Sequence, residues 1–424
     1  MLCVLLAAAV GHADNWPQWR GPLGTGVSRA PSAPLAWNEH RGLAWKRAIP
    51  PWGDSTPVVW GRDLFLTSQT DDRHLLLLHL DAATGRTLWT REVGSDATPR
   101  EERKRGRQFF HRVHNLATPS PATNGKVVVA HFGNGDLAVY DYAGRQIWKR
   151  NLQQDYGKYT IWYGHANSPV LFDSMVISVC MQDSLSDLQD EPVESYVVAH
   201  DLATGKVRWK TPRMTAATAE QCDAYTTPIL FDIAGRPVLI VMGANELDAY
   251  DPRTGKRIWY LPGLVGGRTV TNPTTDGTFV FATRGLRGAL FAVPMGRPGK
   301  LSLRDIVWSY NHGTPDCCSL VAWQSLLFAM TDEGILRCFD TRTGKLHWKK
   351  RLPGKYQAAP VAVAGRILFL NTEGTCTVIS AVSRFDKLAV NHLDATTIAS
   401  PAVAGGHIFI RGRQQLYCIG PKLF

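Results

Sequence analysis

The sequence predicts an all-β protein, an eight-bladed β-propeller of four-stranded blades that occupies residues 14–424 as a single domain. Three recurring features lead to this prediction: a turn motif that ends in Trp, a short apolar strand, and a proline that precedes the strand. They recur at close to the ~40–50 residues of a propeller blade. Because one blade cannot bury both of its faces, such units are expected to close into a ring.

The turn motif consists of Asp, two variable residues, Thr-Gly, a basic residue, two further residues and Trp. Asp suits the start of the turn because its carboxylate bonds the following backbone, and Gly supplies a positive φ. The Trp is then expected to enter the gap between neighbouring sheets. Four complete copies and one shortened copy occur: Asp81–Trp89, Asp201–Trp209, Asp251–Trp259, Asp340–Trp348 and the shortened Asp141–Trp148.

Trp45 and Trp308 continue the Trp series, and the seventh unit offers Leu388 at the corresponding place. We expect Leu388 to be buried between blades like the Trp residues. Eight apolar runs have the length and composition of strands that are buried on both faces. These runs are Leu64–Thr67, Val127–Phe132, Met175–Val179, Val238–Met242, Phe279–Thr283, Leu326–Thr331, Ile367–Leu370 and Ile408–Ile410.

The proline marks the first residues of each unit, where a strand needs no backbone donor for its ladder. It is missing only from the sixth unit. The prolines are Pro57, Pro121, Pro169, Pro228, Pro273, Pro360 and Pro401.

The two ends of the chain are predicted to share the eighth blade. Trp45 has no earlier strands of its own unit, and the C-terminal strands end at Ile419 without a following Trp strand. Joining residues of about 42–48 to those of about 396–420 completes the blade. An N-terminal strand therefore closes the ring and removes its free sheet edges.

Residues 1–13 resemble a signal peptide, because a short apolar run precedes small residues at Gly11 and Ala13. No later stretch approaches the ~20 apolar residues of a membrane helix. We therefore expect an exported protein, periplasmic or extracellular, and a monomer. The net charge of +11 favours anionic partners such as polysaccharide. However, the basic residues are scattered and no nucleic-acid motif accompanies them, so nucleic acid is not predicted as a partner.

The cysteines do not form the disulfide framework of a small domain. Cys338 and Cys418 occupy equivalent positions in two units, where another unit has Ala249, so this is predicted to be a small core site. Cys317 and Cys318 are adjacent, and their Cα atoms lie closer than a relaxed disulfide allows. Two thiols in a rim strand are the favoured interpretation.

Residues just before each proline should converge at one end of the central channel, where the innermost strands begin. Polar groups that converge on a concavity are the default candidates for a binding site. The alternative is that they only satisfy loop backbone and water. The candidates for cofactor or ligand binding are His114, Asn115, His165, Asn167, Asp223, Tyr225, Arg268, Asp316, Cys317 and Cys318. No metal-ligand spacing and no catalytic set is recognisable among them.

The repeats resemble the PQQ-like β-propeller repeat family, which includes quinoprotein alcohol dehydrogenases and the propeller lipoprotein of the outer-membrane barrel-assembly machine. The opening Asn15-Trp16-Pro17-Gln18-Trp19-Arg20-Gly21-Pro22 is similar to that of exported PQQ-binding-like propellers. The resemblance implies PQQ-type blades, and its members include both enzymes and scaffolds.

Three functions follow as hypotheses. The leading one is a non-catalytic scaffold in the cell envelope that binds a protein partner or a small ligand at the channel mouth. The second is a PQQ-dependent oxidoreductase acting on alcohols or sugars with calcium, in which a vicinal disulfide would lie against the quinone. Neither the family's calcium ligands nor its catalytic Asp can be matched to residues here. The third is a polysaccharide-binding module.

Overall fold

The computed structural model describes residues 14–100, 109–182, 193–233, 235–286 and 288–422. In these residues, eight sheets stand around a central channel, and the innermost strands of neighbouring sheets contact one another. All of the described strand pairs are antiparallel except one in blade 4. The predicted all-β, eight-bladed propeller of four-stranded blades is confirmed. The predicted leader, residues 1–13, lies outside the described residues. No helix in the described ranges combines the length and apolar character needed to span a membrane.

Each blade is given with its strands from the innermost to the outermost. Blade 1 contains Val58–Trp60, Asp63–Thr70, His74–Asp81 and Thr87–Ser95; blade 2 contains Ala122–Thr123, Val127–His131, Asp136–Asp141 and Gln146–Asn151. Blade 3 contains Val170–Phe172, Met175–Cys180, Tyr196–Asp201 and Val207–Pro212; blade 4 contains Ile229–Ile233, Arg236–Gly243, Glu246–Tyr250 and Arg257–Leu261, with Gly299–Lys300 added as a fifth strand.

The second half of the ring follows the same plan. Blade 5 contains Thr274–Thr275, Phe279–Thr283, Leu290–Pro294 and Trp308–Tyr310; blade 6 contains Val321–Trp323, Leu326–Met330, Ile335–Asp340 and Leu346–Arg351. Blade 7 contains Val361–Val363, Arg366–Leu370, Thr375–Ser380 and Lys387–His392; blade 8 contains Ala402–Ala404, His407–Arg411, Gln415–Ile419 and Leu43–Ala48. The helices are the α-helix Leu152–Tyr156 and the 3₁₀ turns Ala219–Cys222 and Leu303–Asp305.

The N-terminal strand of blade 8 closes the ring as predicted. Leu43–Ala48 pairs antiparallel with Gln415–Ile419, and Trp45 lies opposite Cys418. Cys338 lies opposite Trp348 in the same way. Both cysteines are fully buried, as expected for a small core site beside a large ring.

The turn of each motif receives a Trp from the preceding blade. The Trp45 Nε1–H donates to the Ala82 carbonyl at 2.9 Å, and its ring lies so close to Gly85 that a Cβ there would approach it to 2.6 Å. Asp81 holds this turn by accepting from the backbone N–H groups of Ala83 and Thr84. The same close approach of a Trp ring recurs at Gly144, Gly205, Gly255 and Gly344. The motif therefore encodes both the turn and its contact with the preceding blade.

The predicted burial of Leu388 is wrong. Leu388 is 39% exposed, whereas Ala389 pairs with Val378 at the position that Trp348 takes in blade 6. A shift of one residue along a strand moves a side chain to the opposite face. Ala389 packs against the core cluster that contains Trp37, which comes from the N-terminal segment. The Trp37 backbone N–H donates to the Asn391 side chain at 2.8 Å, so a Trp distant in sequence lies beside the strand that contains Ala389.

This correction changes the expected effects of two substitutions. Leu388→Ala should lower the free energy of unfolding by less than ~0.5 kcal/mol, as at an exposed position. Trp37→Ala should lower it by about 3–5 kcal/mol, because Trp37 is only 4% exposed. Urea denaturation of both variants measures the difference. A larger loss for Leu388→Ala than for Trp37→Ala would show that the blade 7 register is misassigned.

Candidate functional site

One end of the central channel is crossed by the N-terminal segment 16–28. Trp16 exchanges backbone hydrogen bonds with Val59 of blade 1, at 2.8 and 2.9 Å. Further along, Gly26 and Ser28 bond the backbone of Ala362 in blade 7. Between these two contacts, the Thr25 carbonyl accepts a hydrogen bond from the hydroxyl of Thr274 in blade 5. Blade 5 lies opposite blade 1 in a ring of eight blades. The segment must therefore pass across the channel.

Arg20 anchors this segment in the interior. Its side chain is fully buried and donates to the carbonyls of Thr25 at 2.8 Å, Pro273 at 3.3 Å and Leu320. Burial lowers the pKa of Arg20 to about 9, which leaves the guanidinium charged at neutral pH. The guanidinium lies 5.7 Å from the ring centre of Trp19. Trp19 in turn contributes to the wall of the cavity above it.

The channel contains a cavity of about 320 Å³. This volume is at the lower end of the range for small-molecule sites, ~300–1,000 Å³. All eight blades and Trp19 contribute to its wall: the blade residues include Asp54, His111, His114, Ser120, Tyr163, Ser168, Tyr225, Thr227, Arg268, Asn272, Cys317, Ser319, Gln357, Ala359, Ile398 and Ser400. Many of the lining residues are small, such as Ser120, Ser168 and Ser400, and a few are large polar or aromatic residues.

Four of the ten candidate residues line this cavity: His114, Tyr225, Arg268 and Cys317. The other six lie in the surrounding wall and are not among its lining residues: Asn115, His165, Asn167, Asp223, Asp316 and Cys318.

Between blades 3 and 4, the candidates join the loops of the two blades. The Asn167 amide donates to the carbonyls of Ala224 at 3.3 Å and Thr226 at 2.7 Å. In the opposite direction, the Asp223 carboxylate accepts from the backbone N–H of Trp162 at 2.6 Å. Each bond satisfies a backbone group that would otherwise be buried without a partner.

Bonds of the same type link two further pairs of loops and add another link between blades 3 and 4. His114 Nε2 donates to the Tyr163 carbonyl at 2.6 Å, and the Tyr225 hydroxyl accepts from the Tyr163 N–H at 2.9 Å. The Asn115 amide donates to the Trp52 carbonyl of blade 1 at 2.8 Å. Burial lowers the pKa of His114 to about 4, so its imidazole is neutral at pH 7.

His165 serves as a packed ring and not as a ligand at the channel surface. It stacks on Tyr159 with ring centres 4.8 Å apart and lies 4.7 Å from the ring of His131. Neither of its ring nitrogens has a hydrogen-bond partner within the described part of the chain. Burial lowers the pKa of His165 to about 3 and that of His131 well below its usual value. Both rings are therefore neutral.

Arg268 forms the ionic cluster at the mouth. Its guanidinium pairs with Glu220 at 3.1 Å and Asp316 at 2.9 Å, and it lies 5.6 Å from the ring centre of Tyr163. Burial raises the pKa of Asp316 to about 6, although the nearby Arg268 opposes this shift.

The adjacent cysteines are free thiols with different environments. Cys317 faces the cavity and its backbone N–H donates to Asp332 at 3.0 Å, whereas Cys318 belongs to the hydrophobic cluster between blades 6 and 7. Burial raises the pKa of both thiols well above the usual value, so both are protonated. Asp316, Cys317 and Asp332 bring one possible metal ligand each within 4.8 Å. The protonated thiol and the Arg268 ion pair disfavour a cation there.

The donor set also does not fit the calcium ion that would accompany PQQ. Calcium takes 6–8 oxygen ligands, usually with several carboxylates. Among the described residues that line the cavity, Asp54 is the one carboxylate. Burial raises its pKa to about 7, against the opposing charges of Arg411, Arg413 and Arg100, so it is partly protonated at neutral pH.

Sequence reasoning did not identify Trp19 and Tyr163 as cavity residues. Trp16 and Trp19 are closely spaced near the N-terminus, which predicts buried side chains. This pattern does not predict where in the propeller the two side chains lie. Tyr163 lies several residues before Pro169, outside the positions next to the proline that are expected to reach the channel.

A protein-family model described as outer membrane protein assembly factor BamB matches residues 34–186 and 304–389, more than half of the chain. Among solved structures, BamB from Moraxella catarrhalis is similar with a TM-score of 0.59 and 13% identity, covering 89% of this chain and 99% of that one. No curated protein sequence matches this chain significantly.

Two dehydrogenase structures are similar as well. Quinohemoprotein alcohol dehydrogenase from Comamonas testosteroni has a TM-score of 0.69 and 12% identity, covering 98% of this chain and 82% of that one. A europium-containing methanol dehydrogenase has a TM-score of 0.66 and 10% identity, covering 96% of this chain and 98% of that one. Likeness at such low identity establishes the shared fold alone.

Proposed function

Because this chain belongs to the protein family described as outer membrane protein assembly factor BamB, we propose that it is an exported, non-catalytic scaffold that binds and assembles partners in the cell envelope. The proposal is supported by the hydrogen bonds of the polar side chains at the channel mouth. His114, Asn115 and Asn167 donate to backbone carbonyls of neighbouring blades. They hold the ring together and are not free to act on a substrate.

Three titratable groups of the cavity wall, His114, Cys317 and Arg268, also support a binding role. A general base must be able to accept a proton from substrate near the working pH. His114 is neutral, but its Nε2–H is committed to a carbonyl, and the thiol of Cys317 is protonated. Arg268 is held by two carboxylates. These three groups can therefore border a small ligand or a partner's side chain without reacting with it. Asp54, whose pKa burial raises to about 7, is the one described lining carboxylate that is suited to accept a proton, and it favours the second candidate below.

A PQQ-dependent oxidoreductase acting on alcohols or sugars is the second candidate. Its specific support is the cavity itself, which is about 320 Å³ and has the indole of Trp19 and the thiol of Cys317 in its wall. An aromatic wall suits a planar ring system. The absence of a fitting carboxylate set among the described lining residues makes this the weaker hypothesis.

The two candidates differ in their expected binding of PQQ. Purified protein would be titrated with PQQ and Ca²⁺ by calorimetry, and dye reduction would be followed with short alcohols and aldoses. For a scaffold we expect no saturable binding tighter than ~10 µM, about −6.8 kcal/mol, and no turnover.

Trp19→Ala and Cys317→Ser serve as the matched variants for this titration. Calcium-dependent binding and dye reduction that are both lost in Trp19→Ala would overturn the scaffold proposal. Additional loss in Cys317→Ser would place the quinone against this thiol.

A further inference from the structure

Cations on or beside the outer strands of four of the eight blades form ion pairs with nearby carboxylates. The N···O distances of these ion pairs are 2.6–3.3 Å. They include Lys46–Glu39 in blade 8, Arg145–Asp141 and Lys149–Asp136 in blade 2, Arg208–Asp201 in blade 3, and Arg257–Glu246 with Arg257–Asp248 in blade 4.

Blade 6 departs from this pattern. Its outer strand Leu346–Arg351 and the preceding turn carry five exposed cations: Arg342, Lys345, Lys349, Lys350 and Arg351. No carboxylate within the described ranges lies within 4.0 Å of any of them.

Weaker contacts engage two of these five residues. Arg351 donates to the carbonyl of Glu333 and Lys350 lies 5.8 Å from the ring centre of Phe385. Arg342, Lys345 and Lys349 have no side-chain partner in the described part of the molecule. Uncompensated charge of one sign on one edge attracts an anionic partner.

The backbone of this strand is also available for pairing. Leu346–Arg351 is the outermost strand of its sheet and pairs only with Ile335–Asp340 on its inner side, as far as the described residues show. An exposed edge strand presents unpaired N–H and C=O groups to another chain. Blade 4 demonstrates that an outer edge of this ring accepts a further strand. There Gly299–Lys300 pairs parallel with Trp259 and Tyr260.

We propose that the outer edge of blade 6 binds an extended acidic segment of a partner protein, which adds to the blade as a fifth strand. Main-chain hydrogen bonds would provide affinity, and the five cations would select the acidic side chains. Edge lysines commonly prevent pairing between identical edges. The charge therefore excludes a second copy of this basic chain while it admits an acidic strand.

An acidic strand fits the edge better than the other anionic partners. A lipid surface or a polysaccharide would use the charge but would leave the strand edge unpaired. This proposal rests on the proposed scaffold function and names a class of partner for it. It does not depend on whether the channel binds PQQ.

The test uses the full chain and a fluorescent peptide of alternating Glu and Thr, about eight residues long, which is a typical strand length. The variant is Lys345→Glu/Lys349→Glu. The matched control is Lys206→Glu/Lys256→Glu, because Lys206 and Lys256 occupy the turn position of Lys345 in blades 3 and 4 and are also exposed. Anisotropy titrations measure the affinity, and thermal melts confirm that each variant is folded.

We expect Lys345→Glu/Lys349→Glu to weaken peptide binding by at least about tenfold, and the control by far less, since like charges would then face each other only at blade 6. Binding should weaken with added salt. A peptide with Pro at every third position should bind worse, because Pro removes backbone donors. Channel titrations with PQQ should be identical in all three proteins, which separates failure of this proposal from failure of the proposed function.

Two results would overturn the proposal. One is equal loss of binding in both double variants, which would indicate attraction by the overall charge alone. The other is tighter binding of the unaltered protein to phosphatidylglycerol vesicles or dextran sulfate than to the peptide, if this binding is lost in Lys345→Glu/Lys349→Glu. That result would assign the edge to an anionic lipid surface or polysaccharide.

Discussion

Deletion of residues 14–48 is expected to destroy the cooperative folding of the ring. The deletion removes the strand Leu43–Ala48, whose pairing with Gln415–Ile419 completes blade 8. It also removes Trp16, Trp37 and Trp45, which are 0%, 4% and 6% exposed. Truncation of one buried Trp to Ala lowers the free energy of unfolding by about 3–5 kcal/mol. Their combined loss is comparable to the whole stability of a typical domain, about 5–15 kcal/mol.

Circular dichroism melts and size-exclusion chromatography would measure this loss. Because the deletion variant is expected to aggregate, Trp45→Ala in the full chain provides a second measurement, with an expected loss of about 3–5 kcal/mol. Lys46→Ala on the same strand is the control. Lys46 is 36% exposed and pairs with Glu39, so its loss should cost less than ~1 kcal/mol. A cooperative melt of the deletion variant within a few degrees of the intact protein would disprove closure by the N-terminal strand.

Asp248→Ala is expected to destabilise the fold by about 3–5 kcal/mol, because it leaves the buried charge of Arg213 without its acid. The two side chains are 0% and 1% exposed and lie 2.6 Å apart. Arg213 also donates to the carbonyls of Gly243 and Glu246, both at 2.9 Å. The ion pair therefore links the residue that follows the outer strand of blade 3 to the strand Glu246–Tyr250 of blade 4.

The exposed pair Arg208–Asp201 in the same region provides the comparison, with Arg208 51% exposed. Arg208→Ala should cost less than ~1 kcal/mol by urea denaturation. The double substitution Arg213→Met/Asp248→Leu should recover most of the loss in Asp248→Ala, since an apolar pair replaces a buried ion pair without leaving a lone charge. If Asp248→Ala and Arg208→Ala lost the same free energy, the buried pair would not be the link between these blades.

Local chemistry explains why so much of the fold could be predicted. In the motif Asp81–Trp89, the Asp, the Gly and the Trp each act within a few residues of the turn or on the turn of the next blade. The innermost strands begin directly after Pro57, Pro121 and the other marker prolines, because Pro restricts only its own neighbourhood. The repetition of these local signals was enough to count the blades.

The binding-site candidates could be predicted only in part. The rule that residues before each proline reach the channel placed His114, Tyr225, Arg268 and Cys317 in the cavity wall. It did not distinguish them from Asn167, whose amide points to the carbonyls of the next blade. A sequence shows which residues approach the channel, but the direction of each side chain depends on the backbone groups of the neighbouring blade that need partners.

The sequence by itself determined the class of fold, the number of blades and the sharing of blade 8, because these follow from periodic turns and strands. Only the tertiary structure decided where the unrepeated residues lie. It placed Trp37 in the core cluster against which Ala389 packs, Arg20 among three carbonyls, and Trp19 in the wall of the cavity. Such contacts join residues hundreds of positions apart and are selected by shape, burial and unpaired polar groups, which no local pattern records.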